Sequence, residues 1–196
     1  MSFITESQLT NYRRSKKTFT SYYSLNESLR NFKNESPYFR TKIFLSHKHD
    51  EREYLEGAIS FLKSYGVDIY VDWLDEGMPK TTSGKTADRI KQNIKDNHKF
   101  ILLATEGAIS SKWCNWELGL GDAAKYIDHI AILPIKKDYS DFSGSEYLEI
   151  YPYIFNLDYN QYFKGIYRSE GTYVVFPSNN GNDKVVPISE WLNKKY

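Results

Sequence analysis

Four short apolar runs, each separated from the next by a single helical pattern, constrain this chain to one kind of sheet. The runs are Ile43-Phe44-Leu45, residues 67–71, Phe100-Ile101-Leu102-Leu103-Ala104 and residues 130–135. Each has strand length, and none alternates polar with apolar, which is the mark of a strand covered on both faces. Between the first two runs Leu55, Ala58, Ile59 and Leu62 fall at i, i+3, i+4 and i+7, with Asp50 placed to cap that helix and Gly66 to end it. Ala87, Ile90 and Ile94 give one face of a second helix, ended at Asn97, and residues 113–126 form a third. Strands joined through single helices are parallel, and their crossovers are right-handed. The chain is therefore read as an α/β protein.

The segments on either side follow other patterns. Residues 1–40 are polar and tyrosine-rich, with Arg13, Arg14, Lys16 and Lys17 clustered, and they are read as an arm whose charges are solvated. Ser24 and Glu27 make a capping box before Leu25, Leu29 and Phe32, which predicts a short helix closed by Ser36-Pro37. Residues 41–196 form the domain proper, with core motifs in 41–135 and an extended C-terminal part in 136–196. In that extension Tyr153-Ile154-Phe155 predicts a fifth strand. Residues 172–176 and 184–186 flank Asn179-Asn180-Gly181-Asn182 as a hairpin, and Ile188, Trp191 and Leu192 predict a last helix.

Charge and cysteine usage narrow the function classes. A net charge of +1 supplies no field that would draw the chain to nucleic acid or to a membrane surface. The single cysteine, Cys114, excludes a disulfide framework and a Cys-rich zinc site, and His47 and His49 alone do not make one, so no metal is expected. No run approaches 18 apolar residues, and residues 1–20 contain no apolar core of signal-peptide length. The expected location is the cytoplasm.

The most informative residues for chemistry are Ser111-Lys112-Trp113-Cys114-Asn115-Trp116-Glu117. Trp113 and Glu117 are four apart, so a helix places the indole beside a partly dried carboxylate. The segment follows the third strand, near the carboxyl end of the sheet, where open α/β folds hold their ligands. Taken with Lys42-Ile43-Phe44-Leu45-Ser46-His47 and the loop from Asp72-Trp73-Leu74-Asp75 to Lys85, it resembles the Toll/interleukin-1 receptor (TIR) domain family. All three motifs occur in the family's order and spacing. The flavour is similar to bacterial stand-alone, NAD-cleaving TIR proteins of the Thoeris antiphage type, in which the glutamate is catalytic.

This resemblance implies a flavodoxin-like sheet of about five parallel strands in the order 2-1-3-4-5, with helices on both faces. It also implies a substrate, NAD, rather than a resident cofactor, and Glu117 as the catalytic group. Nicotinamide leaves the ribose as a neutral base, so the site's main task is to stabilise an oxocarbenium-like carbon, which one preorganised carboxylate can do. Trp73 either stacks on a ring of the dinucleotide or closes the second strand as a core residue. Ser46 and His47 either bind ribose or phosphate or make structural hydrogen bonds. Ser83 and Lys85, flanking Gly84, are read as a phosphate contact or a solvated loop, and Trp113 as the packing that positions Glu117 or as a contact to the substrate. The products expected are nicotinamide and either ADP-ribose or a cyclic derivative that signals to a separate effector, with self-association through TIR domains. Two rivals stay open: a TIR interaction module without turnover, and a nucleoside deoxyribosyltransferase-like enzyme.

Overall fold

The computed structural model describes residues 2–15, 40–72 and 83–194. One sheet organises them. Its strands are β1 (Ile4–Thr5), β2 (Lys42–Ser46), β3 (Asp68–Tyr70), β4 (Lys99–Ala104), β5 (Ile130–Lys136), β6 (Tyr153–Leu157), β9 (Gly171–Phe176) and β10 (Lys184–Pro187). A separate two-stranded ribbon contains β7 (Gln161–Phe163) and β8 (Ile166–Arg168). The helices are α1 (Glu6–Ser15), α2 (Arg52–Lys63), α3 (Gly84–Asp96), α4 (Glu106–Ile109), α5 (Lys112–Ala124), α6 (Ser145–Ile150) and α7 (Ile188–Asn193).

The strand order is β10-β9-β6-β5-β4-β2-β3, parallel from β3 through β6, with β9 and β10 antiparallel at one end. The five parallel strands are the expected flavodoxin-like set, and their order reverses between β2 and β4. Both faces are covered. Along β4, Phe100, Leu102 and Ala104 join one core while Ile101 and Leu103 join the other, the period of two that a strand imposes. The four apolar runs thus follow from their composition. Only the second is trimmed, from 67–71 to Asp68–Tyr70.

Residues 2–15 correct the reading of a solvated arm. Strand β1 pairs in parallel with the end of β5 (Ile4 with Ile135, Thr5 with Lys136), and Ser2 bridges Asn156 of β6. Because β5 and β6 pair only at Ile132 and Tyr153, β1 fills the gap where they diverge. Helix α1 then lies on α2, burying Leu9 completely. A Cβ on Gly57 would stand 2.4 Å from the Leu9 carbonyl oxygen, so this glycine permits the approach of the two helices. Arg13 is ion-paired to Glu53 (2.9 Å) and Glu56 (2.7 Å) on α2, while Arg14 is exposed. Lys16, Lys17 and the helix expected near Leu25 lie outside the described residues.

Smaller differences have local causes. The residue capping α2 is Glu51, not Asp50, and its carboxylate accepts a hydrogen bond from Thr105 instead of from helix amides. Gly66 ends this helix region at φ +75°, as expected. The β7–β8 ribbon turns through Lys164 and Gly165, both at positive φ, a two-residue turn suited to hairpins. Helix α7 is anchored by the Trp191 indole N–H, which donates to the Asp128 carbonyl at 2.7 Å. Among the described residues no helix is long and apolar enough to cross a membrane.

Candidate active site

The carboxyl ends of β2 and β4 flank the point where the strand order reverses, and there the fold places its buried charge. Strand β2 delivers Ser46, with His47 directly after it. From β4 the chain passes through Thr105, which caps α4 by accepting from the Ala108 amide at 3.0 Å. The same hydroxyl donates to Glu51, fastening the loop after β4 to the loop after β2. Ser111 then caps α5, accepting from the Cys114 amide at 3.3 Å. The Asn115 side chain donates to the carbonyls of Ile109 (2.8 Å) and Ser111 (3.0 Å), and Tyr147 donates to its oxygen at 2.5 Å. The start of α5 is therefore fixed from three sides.

Helix α5 lies close on the sheet because Gly121 faces the Phe100 ring, where a Cβ would come within 3.0 Å. This packing carries Glu117 over the end of β2. The Ser46 hydroxyl donates to Glu117 Oε2 at 2.5 Å, and the Trp113 side chain also hydrogen-bonds the carboxyl group. Ser46 and Glu117 are 1% and 2% exposed, so the partly dried carboxylate expected from sequence is in fact fully buried. Burial, followed by the charge of Asp72, pushes Glu117 up to about 8, against the opposing pull of Ser46, His49 and Trp113. A buried carboxyl with a raised pKa at the switch point of an open sheet is the kind of group that marks a candidate functional site.

Two histidines and an aspartate complete the cluster. The His47 ring is buried, and its Nδ1–H donates to the Leu45 carbonyl at 3.1 Å, leaving the lone pair on Nε2. That nitrogen has no hydrogen-bond partner among the described residues and stands 3.9 Å from Asp72 Oδ1. Burial holds the His47 pKa below its usual value, so the ring is neutral. His49 Nε2–H donates to Asp72 Oδ2 at 2.9 Å, and this bond raises the His49 pKa. Asp72 follows β3, so the cluster joins the ends of two adjacent strands, β2 and β3, with α5. One ring nitrogen of each histidine and a carboxylate oxygen of Asp72 lie within 4.8 Å of one another. As they stand, His49 and Asp72 are bonded to each other, and the trio is two imidazoles sharing one carboxylate.

The residues singled out from sequence divide into three groups. Ser46, His47, Trp113 and Glu117 come together. Ser83 and Lys85 do not join them by any described contact. Ser83 is exposed as the cap of α3, in a reciprocal capping box with Thr86, and Lys85 is exposed on the first turn. Trp73 lies outside the described residues. Sequence reasoning missed His49 and Asp72 as members of the site. Cys114, beside Glu117 on α5, is pushed up to about 11 by burial and is not a nucleophile at neutral pH.

Fold and cluster together define a class, and comparison with known families agrees: residues 43–166 match the model of the TIR domain. The chain belongs to the TIR domain family. Within the family it is similar to a protein of Bacillus cereus (strain MSX-D12) named "Probable 3' cyclic ADP-D-ribose synthase ThsB'", at 30% identity over 165 residues that cover 79% of this chain and 83% of the relative.

Proposed function

We propose that this protein is an enzyme that cleaves the nicotinamide–ribose bond of NAD and closes the ADP-ribosyl product into a cyclic signal. The observation that carries the reading is the buried Ser46–Glu117 hydrogen bond at the switch point of the sheet. The name of the Bacillus cereus relative supports the substrate and the cyclic product. In this reaction the glycosidic C–N bond breaks and its electron pair leaves with the nicotinamide nitrogen. The anomeric carbon becomes oxocarbenium-like, and a carboxylate fixed beside it stabilises the charge by about 3–4 kcal/mol.

Glu117 suits that task once it is ionised. With its pKa pushed up to about 8 by burial, the ionised form lies within reach of neutral pH. A pyridinium cation entering the same cleft favours the ionised carboxylate by charge attraction, so substrate binding promotes the form that the reaction uses. Ser46 holds one carboxylate oxygen, and Trp113 adds a further hydrogen bond to the group. The lone pair on His47 Nε2 is the natural acceptor for a ribose hydroxyl, which would give that orphaned nitrogen its partner.

Glu117 is closed off in this structure, so the arrangement that binds NAD is more open. Contact with a second TIR domain is the proposed means of opening. The biological setting proposed is cytoplasmic antiphage defence, in which the product activates a separate effector. Incubating concentrated protein with NAD, and separately with deoxynucleosides, with mass spectrometry of the small molecules formed, tests the reading. Nicotinamide with a cyclic ADP-ribose supports it. Base exchange on deoxynucleosides would favour the transferase rival, and inertness toward both would favour an interaction module.

A further inference from the structure

We infer that His49 and Asp72 form the general-base pair that turns bond cleavage into ring closure, an inference that rests on the NAD-cleaving reading above. Ring closure and hydrolysis both release a proton from the attacking oxygen, but a water molecule can pass its proton to neighbouring water, whereas a hydroxyl of the bound substrate has to give it to a base within the site. The nucleophile is a hydroxyl of the substrate's own adenosine ribose, and as its oxygen bonds to the anomeric carbon its proton must go to a base. Glu117 is committed to the developing positive charge and is tied to Ser46 and Trp113. His47 can accept a hydrogen bond, but its buried ring, 2% exposed at the side chain, disfavours the charge that taking up the proton would create.

His49 differs from His47 in the two properties a base requires. In the neutral ring its Nε2–H is spent on Asp72 Oδ2 at 2.9 Å, which leaves the lone pair on Nδ1, and the same bond makes that nitrogen more basic. Its side chain is 57% exposed, so that lone pair is open to a substrate group. Asp72, with 7% of its side chain exposed, is a buried carboxylate that orients the ring and stabilises the imidazolium formed on proton uptake, as the aspartate does in hydrolytic triads. The His49 ring lies 5.4 Å from His47, whose orphaned Nε2 faces the same carboxylate. The pair thus stands next to the groups that would hold the ribose. The step balances: the C–N bond breaks with its electrons on nicotinamide, a C–O bond forms, and the hydroxyl proton passes to His49 Nδ1 and then to solvent. Asp72 acts through His49 and is a positioning residue.

The test is the ratio of cyclic to linear ADP-ribose formed from NAD, measured at a protein concentration where the wild type turns over, with melting temperatures for every variant. His49→Gln should lower the ratio about a hundredfold, because water then captures an ion that the ribose hydroxyl no longer reaches with a base at hand. Asp72→Asn should lower it in the same direction but less. Added imidazole should restore the cyclic share in His49→Ala, an outcome that a packing role would not give. An unchanged ratio in a folded His49→Gln protein would overturn the inference, as would a fallen ratio that imidazole leaves unmoved. Linear product alone from the wild type would overturn it while leaving NAD cleavage intact. A wild type that consumes no NAD would remove the reading on which it stands.

Discussion

Replacing Ser46 by alanine isolates the contact that prepares Glu117. The hydroxyl donates to Glu117 Oε2 at 2.5 Å in a site that excludes water, so no solvent molecule takes over the bond without rearrangement. A hydrogen bond to a charged group is worth about 1.5–3 kcal/mol. Its loss therefore raises the carboxyl by about one to two pH units above its starting value of about 8. Activity requires the ionised form and is lost as pH falls through the pKa. At pH 7 the ionised fraction of Glu117 in the variant is therefore lower than in the wild type by about one to two orders of magnitude. The quantity to measure is kcat/KM for NAD against pH, which reports groups of the free enzyme. Ser46→Ala should be about 10–100-fold slower at pH 7, and the gap should narrow steadily above pH 8 as both enzymes ionise. A deficit that stays constant across the pH range would refute the reasoning, because it would mean that Ser46 acts by packing or substrate contact and not through the charge on Glu117.

Two further predictions concern the rest of the molecule. Gly57→Ala should destabilise the protein by about 1–3 kcal/mol in urea unfolding, since the new methyl meets the Leu9 backbone at the α1–α2 contact; a neutral result would mean that α1 is not seated there in solution. Because Glu117 is buried in the single chain, specific activity should rise with protein concentration, and full activity from a monomer in the nanomolar range would contradict the assembly reading.

How much of this was legible in the sequence depended on where each residue's partner lies. Residues 43–45, 100–104 and 130–135 announced their strands because burial on both faces leaves a continuous apolar run. Glu117 and Ser46 were found because each sits in a motif of its own, and their meeting follows from the strand order. Strand β1 and helix α1 were not legible. Two residues make no strand pattern, and the support for α1 is tertiary: the bare surface at Gly57 and the carboxylates of Glu53 and Glu56. His49 and Asp72 escaped for a related reason, since 23 residues separate the partners and neither looks unusual alone. Asp50 was the better cap on paper, but Glu51 takes that position because Thr105, on the next loop of the sheet, holds its carboxylate.

Glu117→Gln tests the central claim most directly, since it keeps the shape of the buried side chain and removes its charge. NAD consumption should fall by roughly two to three orders of magnitude, the value of one well-placed stabilising charge. The same variant carries a signature in stability. The Glu117 pKa in the folded protein, about 8, lies above its ordinary 4.5, so the folded state binds the extra proton and wild-type stability falls as pH rises between those values. The full effect is on the order of 5 kcal/mol, and glutamine is immune to it. The account predicts a variant that barely turns over NAD at any pH, and whose melting temperature gains on the wild type between pH 5 and pH 8. A folded Glu117→Gln protein with near-normal NAD turnover would contradict it.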